Sequence, residues 1–206
     1  YLPYSDDDMI RVLMEVKKMV PRWVRIMRVQ REISPQEIIA GPKSGNLRQI
    51  VHENLKKQGF SCKCIRCREI GFSKEPHKEL FLHRDNYVSS GGDEVFLSYD
   101  DSADRIYGFL RLRKPSRKAH RKEITERSCI VRELHVYGKS LKIGQREDGQ
   151  IQHSGLGRGL MNEAEKISKE EFDAKKILVI SAIGTREYYR KLGYTSDGPY
   201  MAKMLD

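Results

Sequence analysis

The segment that most constrains this chain is Gln152-His153-Ser154-Gly155-Leu156-Gly157-Arg158-Gly159-Leu160-Met161. A strand-like run lies before it, and a long amphipathic helical pattern opens directly after it. Glycines at alternate positions let the backbone curl and approach a ligand with no Cβ in the way. A helix opened by such a turn offers unpaired N–H groups and a positive dipole end, together a seat for a phosphate or diphosphate. A plain glycine turn before a helix would read the same way. The segment lacks the Gly-Lys-Ser/Thr of a triphosphatase loop and the wider glycine spacing of a dinucleotide fingerprint.

At 206 residues the chain has room for one full domain and a smaller piece. No apolar run approaches the roughly 20 residues that span a bilayer, so no membrane partner is expected. There is no secretory h-region, which makes a cytoplasmic location the default. The first residue is a tyrosine and the first segment already reads as helix, so the chain reads as a fragment of something longer.

The formal charge of +10 is unevenly placed. Residues 1–70 hold 14 basic and 8 acidic side chains, and residues 111–127 hold 8 basic and 2 acidic, a net +6 in each. Dense basic stretches are the footprint of a phosphate-backbone partner. Arg111, Arg113, Lys114, Arg117, Lys118, Arg121 and Lys122 are the candidate contacts. A solvated loop rich in lysine and arginine is the competing reading.

Apolar spacing predicts a helix over 6–19, ended by Pro21, a short strand over 23–29, a loop over 33–44, and a second helix from about Leu47, with Ser44 as its cap. Such a helix–strand–helix piece cannot close a domain and looks like the tail of a larger α/β barrel. From Gly71 the pattern turns strand-rich, with strands over 80–88, 94–100, 105–112, 128–141, 176–182 and 200–204. A polar loop over 144–149 precedes the glycine segment. Helices are expected over 155–173, with Leu160, Ala164, Ile167 and Phe172 on one face, and over 187–192.

Cys62-x-Cys64-x-x-Cys67 gathers three of the four cysteines within six residues. In a cytosolic chain this reads as a metal site rather than as disulfides. Thiolates suit zinc, which takes four tetrahedral ligands. Cys129, His77 and His83 are candidates for the fourth, and Cys129 is preferred as the remaining cysteine. Unliganded reduced thiols, or an Fe–S cluster, are the other readings.

Gln152-x-x-Gly155-x-Gly157 resembles the coenzyme A signature of the GNAT acyltransferases. Tyr188-Tyr189-Arg190-Lys191-Leu192-Gly193-Tyr194 resembles that family's usual ending. Arg132-Glu133-Leu134-His135-Val136-Tyr137-Gly138, Asp197-Gly198-Pro199-Tyr200-Met201 and Gly45-Asn46-Leu47-Arg48-Gln49 extend the likeness over essentially the whole chain, to the Elongator-type tRNA wobble-uridine acetyltransferases. The resemblance implies a mixed α/β fold, a GNAT-like sheet with flanking helices. It is preceded by a helix–strand–helix remnant of a radical-SAM barrel. The divisions expected are 1–60 for the remnant, 61–70 for a cysteine metal junction and 71–206 for the acetyltransferase domain. GNAT domains carry one or two helices between their first two strands, whereas this chain offers only Ser89–Asp93 there.

The resemblance further implies acetyl-CoA as the bound substrate. Gln152, Gly155, Leu156, Gly157, Arg158 and Gly159 would cradle its diphosphate. Glu133, Leu134, His135 and Val136 would lie along pantetheine and present N–H to the thioester oxygen. Tyr189, ahead of Tyr188, would protonate the departing thiolate, and Glu133 or His135 would act as general base or position water. Packing is the plainer role for the tyrosine pair, and a surface-facing strand pair for His135. The implied partners are tRNA, the missing radical-SAM lobe and other Elongator subunits. S-adenosylmethionine and a 4Fe-4S cluster belong to the full-length enzyme but not to this fragment. A protein (histone) lysine acetyltransferase and a zinc-stabilised RNA-binding module with a vestigial acyl site are the alternatives.

Overall fold

The structure is a computed structural model that describes residues 2–31, 33–71, 79–137 and 155–206. The chain divides into two compact units, Tyr1–Glu69 and Ile70–Asp206.

The first unit opens with α1 (Asp6–Met19), where its sequence pattern put it. Ser5 caps it: the Ser5 hydroxyl accepts the Asp8 N–H at 3.1 Å, and the Asp8 carboxylate accepts the Ser5 N–H at 3.2 Å. Three aspartates in the first turn and two lysines in the last complement the helix dipole. A second helix, α2 (Leu47–Lys57), packs Val51 and Leu55 against Met14 of α1. The expected Ser44 cap is not made. The Ser44 hydroxyl binds Asp6 instead, and Asn46 takes the cap position without a side-chain bond. Residues 23–29 form no strand. A strand needs a ladder, and among the described residues these carbonyls go elsewhere: Val24 O accepts the Ile65 N–H, while Ile26 O and Met27 O accept Arg48. A short helix, α3 (Ile65–Arg68), follows Cys64, so the cysteine segment belongs to this unit.

The second unit is a seven-stranded mixed sheet in the order β1-β2-β3-β4-β5-β7-β6. The strands are β1 (Leu80–Ser89), β2 (Gly92–Asp101), β3 (Ile106–Lys114), β4 (Ser128–Val136), β5 (Lys176–Val179), β6 (Thr195–Asp197) and β7 (Tyr200–Met204). The expected mixed α/β architecture, a sheet with flanking helices, is observed. β1 and β2 are joined directly, with Ser90 and Gly91 both at positive φ (48° and 69°), as a two-residue hairpin of type I′ requires. No helix intervenes, as the short Ser89–Asp93 connection dictates. β4 and β5 are the parallel pair, and their crossover contains α4 (Leu156–Glu170). α4 lays Leu160, Met161, Ala164 and Ile167 on Val95, Leu97, Leu110, Leu112 and Val131 of the sheet. This apolar face recurs every three to four residues and was legible as such. The short β6 was not foreseen: three residues, two of them exposed, leave no alternation to read.

Candidate active site

The parallel pair positions the site. β4 and β5 are in register from Ser128↔Lys176 to Val131↔Val179, and a last bond runs from the Ile180 N–H to Val131 O at 3.1 Å. Beyond Val131, β4 continues along β3 but has no β5 partner. A bulge between the Arg111/Glu133 and Leu112/Val131 pairs bends it at that point. The Tyr137 N–H donates to Tyr107 O on the β3 side at 2.8 Å. By strand alternation, the amides of Leu134 and Val136 therefore face the open side. Ile180 and Ile183 stand exposed where β5 ends. Among the described residues the two strands no longer pair beyond Val131, and the Leu134 and Val136 amides lie on the β5 side of β4.

The N-terminus of α4 belongs to the same neighbourhood, because Val136 lies against Gly157. Gly155 takes the cap position at φ 79°, a left-handed conformation that favours glycine. No acidic residue sits in the first turn, and Arg158 there is exposed. The Gly159 N–H donates to Gly155 O at 2.9 Å. It is therefore spent inside the helix, and the cradle expected over 155–159 reduces to the N–H groups of Leu156, Gly157 and Arg158. Gln152 lies outside the described residues. The glycines also answer to packing. A Cβ on Gly157 would come 2.8 Å from the Tyr188 hydroxyl, and one on Gly159 would come 2.7 Å from the Tyr99 hydroxyl.

The two tyrosines of α5 (Arg186–Arg190) separate sharply. Tyr189 is 6% exposed and packs in the core with Leu160, Tyr194 and Met201. Burial, then the neighbouring Tyr188, pushes its hydroxyl up to about 12. Tyr188 is 38% exposed and brings its hydroxyl to the first turn of α4. Burial raises its pKa as well, and the nearby Arg158 charge opposes the rise. The sequence ranked Tyr189 first; of the two, Tyr188 is the one whose hydroxyl reaches the glycine turn.

Glu133 and His135 share the opposite sheet face, as strand alternation requires. The Glu133 carboxylate accepts Arg111 Nε at 2.9 Å, and Arg111 reaches the Tyr87 hydroxyl at 3.3 Å. The Arg111 guanidinium also stands over the rings of Phe96 and Phe109. Glu133 is thus held by a cation, whereas the exposed His135 rests between Phe109 and Tyr137 at ring distances of 5.8 and 4.5 Å.

The cysteines assemble within the first unit. The sulfurs of Cys62, Cys64 and Cys67 all lie within 4.8 Å of one another. The three thiols are coupled: hydrogen bonds with Cys62 and Cys67 lower the pKa of Cys64, and hydrogen bonds with Cys62 and Cys64 raise that of Cys67. His52 on α2 brings Nε2 to 3.3 Å from Cys67 Sγ. Burial, then the charges of Lys17 and Arg48, lowers the His52 pKa and favours the neutral imidazole that binds metals. His52 went unnoticed in the sequence, where a histidine ten residues upstream of the cluster was its one signal. Cys129 is not brought to these sulfurs. It is fully buried in the core under α4, its thiol bonded to Ser168. His83 is exposed on β1, and His77 lies outside the described residues.

The basic residues of β3 and of the loop after it also fall into two groups. Arg113 pairs with the buried Glu94 at 2.6 Å, and Lys114 donates to Glu126 O. Together with Arg111 these cations serve the fold. Arg117, Lys118, Arg121 and Lys122 are exposed. The loop that carries them is docked by Ile124, packed on Ile130, Leu178 and Ala202, and by Glu123, which is 8% exposed and lies against Gly198.

Residues 1–57 match the family model of the Radical_SAM C-terminal domain. All of the chain aligns with the tRNA uridine(34) acetyltransferase of Methanocaldococcus jannaschii at 45% identity, and with human Elongator complex protein 3 at 44%. A solved structure, archaeal Methanocaldococcus infernus Elp3 with an N-terminal deletion, superposes over 100% of the chain with a TM-score of 0.89 and 46% identity. Over its whole length this chain is similar to part of Elongator complex protein 3. It spans 39% of the M. jannaschii relative, 38% of the human one and 50% of the solved Elp3 chain. Among the described residues, no helix is long and apolar enough to cross a membrane.

Proposed function

We propose that the Ile70–Asp206 unit is the acyl-transfer lobe of an Elp3-type enzyme, binding acetyl-CoA and cleaving its thioester in support of carboxymethyl-type modification of the tRNA wobble uridine. One observation carries the reading: among the described residues the β5 side of β4 has no strand partner beyond Val131, and Val136 there lies against Gly157 at the N-terminus of α4. The diphosphate would be received by the N–H groups of Leu156, Gly157 and Arg158 and by the Arg158 charge. Pantetheine would follow β4, exchanging bonds with the amides of Leu134 and Val136 as a substitute strand. A β4 N–H would polarise the thioester oxygen as negative charge develops there. When the C–S bond breaks, the leaving sulfur needs a proton, and the Tyr188 hydroxyl would supply it. His135, exposed on the opposite face of the same strand, would position the attacking water or acceptor, because the Glu133 carboxylate is already bound to Arg111.

In this reading Cys62, Cys64 and Cys67, with His52 as fourth donor, hold a zinc ion whose role is structural. The tRNA backbone meets Arg117, Lys118, Arg121 and Lys122. S-adenosylmethionine and a 4Fe-4S cluster would belong to the radical-SAM lobe of the longer protein. That lobe and the other Elongator subunits complete a cytoplasmic assembly. Support for the tRNA substrate comes from the relatives' names together with the docked basic loop.

The test is acetyl-CoA thioester cleavage by this chain with and without tRNA. Acetyl-CoA binding, with turnover stimulated by tRNA, is the expected result. Turnover stimulated instead by a lysine peptide would favour protein acetylation. RNA binding without acetyl-CoA affinity would leave only a zinc-stabilised RNA module.

A further inference from the structure

Lys17 is a buried cation without a carboxylate. It lies in the last turn of α1, is 1% exposed, and makes no ion pair with an aspartate or glutamate among the described residues. Its two nearest polar partners are the metal-site residues: Nζ is 3.1 Å from His52 Nε2 and 3.6 Å from Cys67 Sγ. Burying an ammonium is costly unless an opposite charge accompanies it. Lys18, the next residue, shows the ordinary alternative, reaching out to Glu15 at 2.8 Å.

The charge of the metal site supplies the missing partner. A divalent ion held by three thiolates and a neutral imidazole carries one net negative charge. One ammonium makes the ensemble neutral. We propose that Lys17 is the fixed counter-cation of the metal–thiolate centre, donating to Cys67 Sγ when His52 Nε2 is taken by the ion. The inference rests on the metal reading above and goes beyond it. It also ties the two helices to the centre, because Met14, one turn before Lys17, packs on Val51 and Leu55 of α2, the helix that carries His52. Hydrogen bonds to ligating groups from such outer partners orient them and raise affinity.

The experiment is cobalt(II) titration of the whole chain against a competing chelator, followed through the thiolate-to-cobalt absorption. Lys17→Met keeps the length and apolar stem of the side chain but removes its charge. Its cobalt affinity is expected to fall about 10- to 100-fold, and Lys17→Arg to recover most of the loss. Met14→Ala, which loosens the same helix pair without touching charge, should stay near the parent affinity. Circular dichroism checks that α1 persists in each variant. If Lys17→Met does not fold, Lys17→Gln makes the same comparison with a neutral polar tip. Parent-like affinity in a folded Lys17→Met or Lys17→Gln variant overturns the proposal while leaving the metal site intact. A parent chain that binds no cobalt removes the metal reading itself, and this inference with it.

Discussion

The Tyr188 hydroxyl fills the space that a Cβ on Gly157 would need, 2.8 Å from its ideal position. The glycine turn and the tyrosine ending are therefore in contact, though about thirty residues separate them in the chain. Gly157→Ala should push the Tyr188 ring off its place and cost about 1–3 kcal/mol of stability. It should also weaken acetyl-CoA turnover. Adding Tyr188→Phe, which removes the clashing oxygen, should restore most of the stability but not the turnover. Thermal unfolding and thioester cleavage of the three variants check this. Equal stability of Gly157→Ala and parent would contradict the packing.

Tyr188→Phe alone should lower acetyl-CoA turnover about 100-fold with little change in unfolding temperature. Tyr189→Phe should change turnover less. Its effect lies at alkaline pH, because its hydroxyl is pushed above the ordinary 10 to about 12. The stability linked to that proton is fully present below pH 10 and is lost as pH rises through 12. Part of the parent's alkaline destabilisation between these values should therefore be missing in Tyr189→Phe. Turnover in Tyr188→Phe equal to the parent's would move the proton donor to water or His135.

Protein prepared without chelator should contain about one equivalent of zinc, and Cys67→Ser or chelation should lower the unfolding temperature of the first unit. Elemental analysis decides the metal. Iron at the same stoichiometry would correct its identity, and neither metal would end the reading.

Reversing Arg117, Lys118, Arg121 and Lys122 together should weaken tRNA binding at low salt and flatten its salt dependence, with stability nearly unchanged. Arg113→Gln should do the opposite, because its charge sits on the buried Glu94 carboxylate. Arg132 still pairs with that carboxylate at 2.5 Å, so the loss should cost about 1–3 kcal/mol, with tRNA affinity per folded molecule near the parent's. Filter binding over a salt series, beside denaturant unfolding, separates the two groups. Unchanged binding after the fourfold reversal would transfer the RNA footprint to residues 1–70.

Asp101 offers an acid-side prediction. It is 3% exposed, and burial alone would raise its pKa. The N–H groups of Arg105 and Ala103, the Arg105 guanidinium and the Tyr107 hydroxyl outweigh burial and hold it below the ordinary 3.8. Stability linked to this carboxylate is present above that value and is lost as pH falls through the folded one. Asp101→Asn should destabilise the β2–β3 turn by about 1–3 kcal/mol near neutral pH. The difference from parent should shrink below pH 3.8. A pH-independent difference in denaturant midpoints would refute the linkage.

The sequence by itself determined the elements whose signals are local. The capping box of α1, the apolar face of α4, the Ser90-Gly91 hairpin and the glycine turn each follow from a few consecutive residues and their own backbone needs. It also brought the cysteine cluster into view, because three of its donors sit within six positions. Tertiary structure decided which groups meet across the chain. The extended segment over 23–29 lost its strand because no ladder partner was there to take its bonds. Cys129 went to a core under α4, while His52 and Lys17, on separate helices, came to the sulfurs. Of the seven basic residues after β2, three are held by carboxylates and carbonyls within the fold and four stay exposed, with Arg117 paired only to the exposed Glu126 at 3.8 Å. Tyr188 and Tyr189 are neighbours in sequence with indistinguishable chemistry. A helix turns successive side chains by about 100°, and only the packed sheet fixes which of the two is driven into the core.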